Sequence, residues 1–198
     1  MRIGILGTGV LASALATGWS RAGHTITIGG RSPAKAAAIA ERVGGTMRPV
    51  PNVAAGADAV LLAVSWTGIT QTLLAAGPLD GVPLIDPTNA VEHGVGVLQA
   101  SPAEHIAALV PGAHVVKAFH LFPAAFWTEP GTDKATVAIC GDDQRALGIV
   151  GTLITDVGAT PVTLGGLDRA RQLEEVAGFV IGLAFSGVDP RSAVPAVS

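Results

Sequence analysis

Six residues near the start, Gly7-Thr8-Gly9-Val10-Leu11-Ala12, limit most strongly what this chain can become. They follow an apolar run, Ile3 to Leu6, and open a segment with helical periodicity. A buried strand must therefore end, turn sharply and enter a helix within two residues. Gly7 permits that turn, Gly9 lets another group approach the backbone, and Ala12 is small enough for the helix to lie close on the strand. The first helical turn then offers unpaired N–H groups and the positive end of a dipole, which together attract a phosphate. Glycine supplies 26 of the 198 residues, so the spacing alone discriminates poorly. Its setting between strand and helix is what points to a dinucleotide-binding βαβ unit, with Gly7, Thr8, Gly9, Val10 and Leu11 as the phosphate-facing loop.

The second strand of such a unit usually ends in an acidic residue that grips the ribose hydroxyls. Here the strand is His24-Thr-Ile-Thr-Ile28, Gly29 and Gly30 follow, and no acid occurs before Glu41. In place of the acid stand Arg31, Ser32 and Lys35. Ser32 suits an N-cap and Pro33 a first helical position. Lys35 then falls in the first helical turn, where the dipole disfavours a cation. Two cations, a hydroxyl and a helix start, without a carboxylate, suit the 2′-phosphate of NADP. A solvated basic face is the bland alternative, and it does not explain the missing acid.

Apolar and helical segments continue to alternate. Strands are expected at Arg2–Leu6, Thr25–Ile28, Ala59–Val64, Pro83–Asp86, Val115–Phe119, Thr136–Cys140 and Pro161–Leu164, with a weaker one at Thr46–Val50. Helices are expected at Val10–Ala22, Pro33–Val43, Thr67–Ala76, Pro102–Leu109, Asp143–Val157 and Leu167–Phe185, with Gly23 and Gly44 closing the first two. Short, continuously apolar strands indicate a sheet covered on both faces. The fold class is α/β: a Rossmann-type, doubly wound, mostly parallel sheet with a small C-terminal α/β extension. Residues 1–134 form the dinucleotide-binding domain and 135–198 the extension, packed as one compact unit, with an irregular tail from Gly187. Apolar residues make up 49% and charged ones 14%, which excludes disorder. A net charge of -3 gives no general attraction to nucleic acid or anionic membrane. One cysteine, Cys140, fits a reducing cytoplasm. The glycines interrupting the first apolar run argue against a secretion signal, and Val176–Phe185 is too short to span a bilayer.

Ligands of open α/β sheets lie beyond the carboxyl ends of the strands. Those ends carry Ser65 and Trp66, then Thr88 and Asn89, then His120. The first pair could lie along the dinucleotide, while Thr88 and Asn89 can exchange hydrogen bonds with a carboxamide or ring edge. Taken singly, Trp66 reads equally well as packing, Asn89 as a turn former and His120 as a buried partnered imidazole. Val116 to Trp127 also gathers Phe119, Phe122, Phe126 and Trp127, four of the chain's eight Phe and Trp residues. Phe119 reads as core, whereas His120, Leu121, Phe122 and Pro123 read as the lip of a crevice. The five histidines (His24, His93, His105, His114 and His120) have no metal-ligand spacing. Asp142-Asp143 reads as a helix start. Glu174-Glu175 reads as a helix surface, with Arg171 placed to pair with Glu174.

With these residues in place, the chain resembles the NADPH-dependent reductase family of coenzyme F420, the 8-hydroxy-5-deazaflavin. The likeness rests on Met1 to Gly23; on Gly30, Arg31 and Lys35; and on Ala63 to Trp66. It extends to His120 and Pro123, to Cys140 to Asp143, and to Arg171 and Glu174 after Gly165 and Leu167. Two departures are Ser65, where the family has a proline, and Gly30, where members can carry a serine whose phosphate contact would pass to Ser32. The resemblance implies hydride transfer between nicotinamide C4 and deazaflavin C5, in a homodimer that binds NADP(H) and coenzyme F420. It implies that Leu121, Phe122 and Pro123 wall the deazaflavin and that His120 bonds its pyrimidine edge. Two other readings stay open: an NADPH-dependent reductase of an imine, pyrroline or carbonyl, and a non-catalytic NADP-binding regulatory protein.

Overall fold

The computed structural model describes residues 1–92, 94–128 and 135–194. Its main sheet has eight strands in the order β10-β9-β8-β5-β4-β1-β2-β3. They are β1 (Arg2–Leu6), β2 (Thr25–Gly29), β3 (Thr46–Met47), β4 (Ala59–Leu62), β5 (Pro83–Asp86), β8 (His114–Lys117), β9 (Thr136–Gly141) and β10 (Thr160–Thr163). Between β5 and β8 lies a small hairpin, β6 (Ala90–Val91) with β7 (Leu98–Ala100), that the sequence pattern does not announce. All neighbours in the main sheet run parallel except β8 and β9, which meet antiparallel at Lys117 and Cys140. That seam is where the C-terminal extension joins the sheet. The expected boundary at residue 134 lies at the edge of the undescribed segment, and expectations for His93 and the last four residues also fall outside the described ones.

Six helices flank the sheet: α1 (Val10–Arg21), α2 (Pro33–Val43), α3 (Ile69–Ala76), α4 (Pro102–Leu109), α5 (Gln144–Asp156) and α6 (Ala170–Phe185). Local chemistry explains their limits. Ser32 Oγ accepts the Lys35 N–H and Pro33 takes the first turn, while Gly44 ends α2 at φ 63°. Ser101 caps α4 and Asp143 caps α5 in the same way. The helix expected from Leu167 begins instead as a short 3-10 turn, Leu167–Arg169, whose first N–H is taken by Asp142 at 2.7 Å.

Alternation along the strands sends side chains to two cores. Ile3, Ile5, Leu61, Ile85 and Val116 face one, built with α1, α2 and α5. Leu6, Val60, Leu62, Leu84 and Val115 face the other, built with α3, α4 and α6. The hairpin loop lies directly on α6: a Cβ on Gly96 would fall 2.3 Å from the Gly178 carbonyl, so both positions demand glycine. Among the described residues, no helix is long and apolar enough to cross a membrane.

Candidate functional site

Strand order reverses at β1 and β4: the chain steps outward through β2 and β3, then returns to the other side of β1. A crevice opens at such a switch point. Gly7 leaves β1 at φ 132° and donates its N–H to Gly29 at 2.8 Å. A Cβ there would lie 2.0 Å from the Ala63 carbonyl, so two strand ends close around it. At Gly9 an added Cβ would meet nothing within 4 Å, which leaves the approach to α1 clear. The start of α1 has no side-chain cap and no acid in its first turn. Its first amides, including those of Val10 and Leu11, are thus available to an anion.

A cleft of about 560 Å³ occupies this place. It brings together Gly7, Thr8, Gly9, Arg31, Ser32, Lys35 and Ser65, seven of the residues singled out from sequence. Arg31 and Lys35 are both exposed, and neither forms an ion pair among the described residues. Gln71 and Thr72 of α3 and Val50 also line it, none of them among the site residues expected from sequence. Trp66 lies outside the lining. Its ring packs edge-on to His105 of α4 at 5.2 Å.

Two strands further along, the exits of β5 and β8 form a second, buried polar region. Asp86, Thr88, Lys117, His120 and Glu174 are all buried there. Asn89 Nδ2 donates to the His120 carbonyl at 2.7 Å. Burial holds His120 down to about 3, the nearby Lys117 ammonium adds to this, and a backbone hydrogen bond at Leu173 opposes it. The imidazole is therefore neutral at physiological pH and can offer a lone pair or an N–H. Thr88, Asn89, His120, Leu121, Phe122 and Pro123 do not line the 560 Å³ cleft.

The aromatic residues divide. Phe119, 1% exposed, packs edge-on between Trp19 of α1 at 5.9 Å and Trp127 at 5.1 Å. Phe122 leans on Phe126 at 4.8 Å and on Trp127 at 5.8 Å. Trp127 thus belongs to the α1-side core, with Phe122 and Phe126 at its margin.

One expectation is corrected. Glu174 does not pair with Arg171 on the helix surface: it is fully buried, and its Oε1 lies 2.8 Å from Lys117 Nζ. Arg171 faces Glu175 instead, at 3.7 Å. Lys117 and Asp86, 2.9 Å apart, also escaped the sequence argument. Signals existed. Lys117 interrupts an apolar strand, and Ala170, Leu173, Glu174 and Ala177 follow the spacing of a buried helical stripe. Asp142 and Asp143 cap helical turns, as their place after a strand suggested. No metal-binding cluster of three ligands occurs among the described residues.

A Rossmann-type sheet with a glycine turn at its switch point and a cationic strand exit has the build of a dinucleotide-binding protein. Residues 2–90 match the family model described as NADP oxidoreductase, coenzyme F420-dependent. An Arthrobacter sp. FB24 structure, provisionally described as an F420-dependent NADP reductase, is 27% identical with a TM-score of 0.82, covering 96% of each chain. The metalloreductase STEAP3 of Rattus norvegicus is 30% identical over 88% of this chain and 36% of its own length. The chain thus spans about a third of the curated relatives it matches. A reductive aminase of Aspergillus terreus shares the fold, at 23% identity and a TM-score of 0.70, over 94% of this chain and 62% of its own.

Proposed function

We propose that the protein transfers a hydride between NADP(H) and the deazaflavin coenzyme F420. The observation carrying this is the paired Arg31 and Lys35 beside Ser32 in a cleft whose β2 exit holds no carboxylate. A 2′-phosphate would meet both cations there, while the amides at the start of α1 hold the pyrophosphate. Strands lie about 4.8 Å apart, so the three steps from β2 to β5 span roughly 14 Å. An extended dinucleotide held at β2 would pass Ser65 and Trp66 and bring its ring end near Thr88 and Asn89. Their unpaired Oγ1 and Oδ1 atoms fit a carboxamide. His120 at the neighbouring exit would meet the polar edge of the second ring, and Leu121, Phe122 and Pro123 would shield it from water. Bound NADPH supplies the hydride; the protein aligns two rings and excludes solvent. Exposed Phe179 and Phe185 on α6 suit the contact of a homodimer.

The test mixes the purified protein with NADPH and oxidised coenzyme F420 and follows deazaflavin absorbance. Turnover is expected, and Arg31→Ala should weaken NADP(H) far more than NAD(H). Absence of turnover under NADPH saturation, or equal loss of both dinucleotides in Arg31→Ala, would remove the corresponding half of the proposal. The metalloreductase relatives favour a second reading, in which the electrons end on a metal ion. Ferric reduction by NADPH in the same cuvette distinguishes it.

A further inference from the structure

We infer that Lys117 is the positioning residue for the ring end of the crevice, a role that rests on the NADP reading above. Its ammonium donates to Asp86 Oδ2 at 2.9 Å and to the Thr88 carbonyl, and forms an ion pair with Glu174 Oε1 at 2.8 Å. Both carboxylates are tied in turn. Asp86 Oδ1 takes the Thr88 N–H at 2.8 Å, and Glu174 Oε1 takes the Ala103 N–H at 3.2 Å, at the start of α4. One buried cation thus fastens β8, the β5 exit, α4 and α6 together.

Stability does not account for this arrangement. Burying ions costs several kcal/mol each in desolvation, and apolar replacements of whole buried ion sets are often neutral or better. The atoms around the clamp show what it holds. Thr88 Oγ1, Asn89 Oδ1, His120 Nδ1 and Glu174 Oε2 are buried without a hydrogen-bond partner. A buried polar atom left unpaired destabilises the fold, so four on the segments joined by Lys117 need a reason. An amide-bearing ring edge would satisfy those at Thr88 and Asn89, provided the loop is already in place.

The backbone adds independent support. Phe119, two residues after Lys117, is the one described non-glycine residue with positive φ, at 62°. A bulky residue there is a strained outlier, and such strain persists where the surroundings over-determine it. Here Lys117 fixes the preceding strand, Asn89 holds the His120 carbonyl, and Trp19 and Trp127 box the ring. The turn delivers Phe119 to one core and leaves His120 at the other, beside Leu173 and Lys117.

The experiment compares two ligands on the full chain, NADPH and adenosine 2′,5′-bisphosphate, by calorimetric titration. The second lacks the nicotinamide end. The test variant is Lys117→Met with Glu174→Gln. We expect the parent to prefer NADPH, and the variant to lose about tenfold of NADPH affinity while holding the bisphosphate within about twofold. Parallel loss of both ligands, or an unchanged preference for NADPH, overturns the inference. If that pair does not fold, Glu174→Gln alone decides: a selective NADPH loss supports the role and no selective loss overturns it. A parent that binds both ligands equally sinks this inference alone, whereas a parent that binds neither sinks the NADP reading as well.

Discussion

Two lysines mark the two ends of the proposed dinucleotide site and live under opposite physics. Lys35 stands exposed in the first turn of α2, against the helix dipole and without a carboxylate partner among the described residues. Lys117 has no exposed surface, two hydrogen-bond acceptors and a second carboxylate in ion-pair contact. The first is placed where folding gains nothing from it, which makes it available to an anion. The second is so fully engaged that it can bind nothing further and can only hold others. In the proposed function, the adenine end of the site would be built from free groups on a backbone scaffold, and the ring end from a locked interior.

The sharpest way to break this contrast is to remove each lysine in turn. Lys117→Met strands two buried carboxylates and should cost about 3–5 kcal/mol in urea-denaturation free energy. Lys35→Met should stay within about 0.5 kcal/mol of the parent, as exposed substitutions generally do. NADPH binding should show Lys35→Met weakened at the adenine end. If Lys117→Met unfolds at the parent's urea midpoint, the locked interior does not exist as described.

The same contrast explains what the sequence disclosed. The turn at Gly7, the cap at Ser32 and the glycine at Gly44 act through neighbouring backbone, so a few contiguous letters suffice to read them. Strand limits blurred more: the strand expected through Phe119 stops at Lys117, two residues before the left-handed Phe119, and those expected through Val64 and Val50 stop at Leu62 and Met47. The hairpin at 90–100 stayed hidden because strands of two and three residues carry no period. The ion triplet joins residues 86, 117 and 174, and no local pattern names a partner at that distance. Each member did break an apolar pattern, a lysine in a strand and an acid in a helical stripe, and two such breaks of opposite charge are a reason to join them. In the aromatic stretch, Phe119 packs on Trp19 and the other three rings pack on one another, contacts that join residues no local pattern links.

A smaller effect sharpens the ring end through pH. An unfolded imidazole takes its proton near 6.5, whereas buried His120 resists protonation down to about 3. Between those values the unfolded chain holds a proton that the folded chain refuses, so acidification costs about 1.4 kcal/mol per pH unit. At pH 5 this amounts to roughly 2 kcal/mol, with no cost above 6.5. Urea midpoints of the parent and His120→Asn at pH 7 and pH 5 isolate that share. An equal acid loss in both proteins would mean that His120 is not sealed.

The smallest expected effect tests whether the contrast holds along a single helix. Arg171 and Glu175 of α6 lie one turn apart with side chains 60% and 55% exposed, and their closest atoms are 3.7 Å apart. Water screens such a pair, and holding two long side chains costs entropy, so Arg171→Ala should shift stability by no more than about 0.5 kcal/mol. Glu174, next in sequence to Glu175, faces inward to Lys117, and the Glu174→Gln loss should exceed it clearly. Consecutive helical residues point about 100° apart, so one acid can meet solvent while its neighbour meets a buried ammonium. Equal midpoints for the two variants would mean that Glu174 contributes no more than a surface charge, and the clamp would lose its α6 arm.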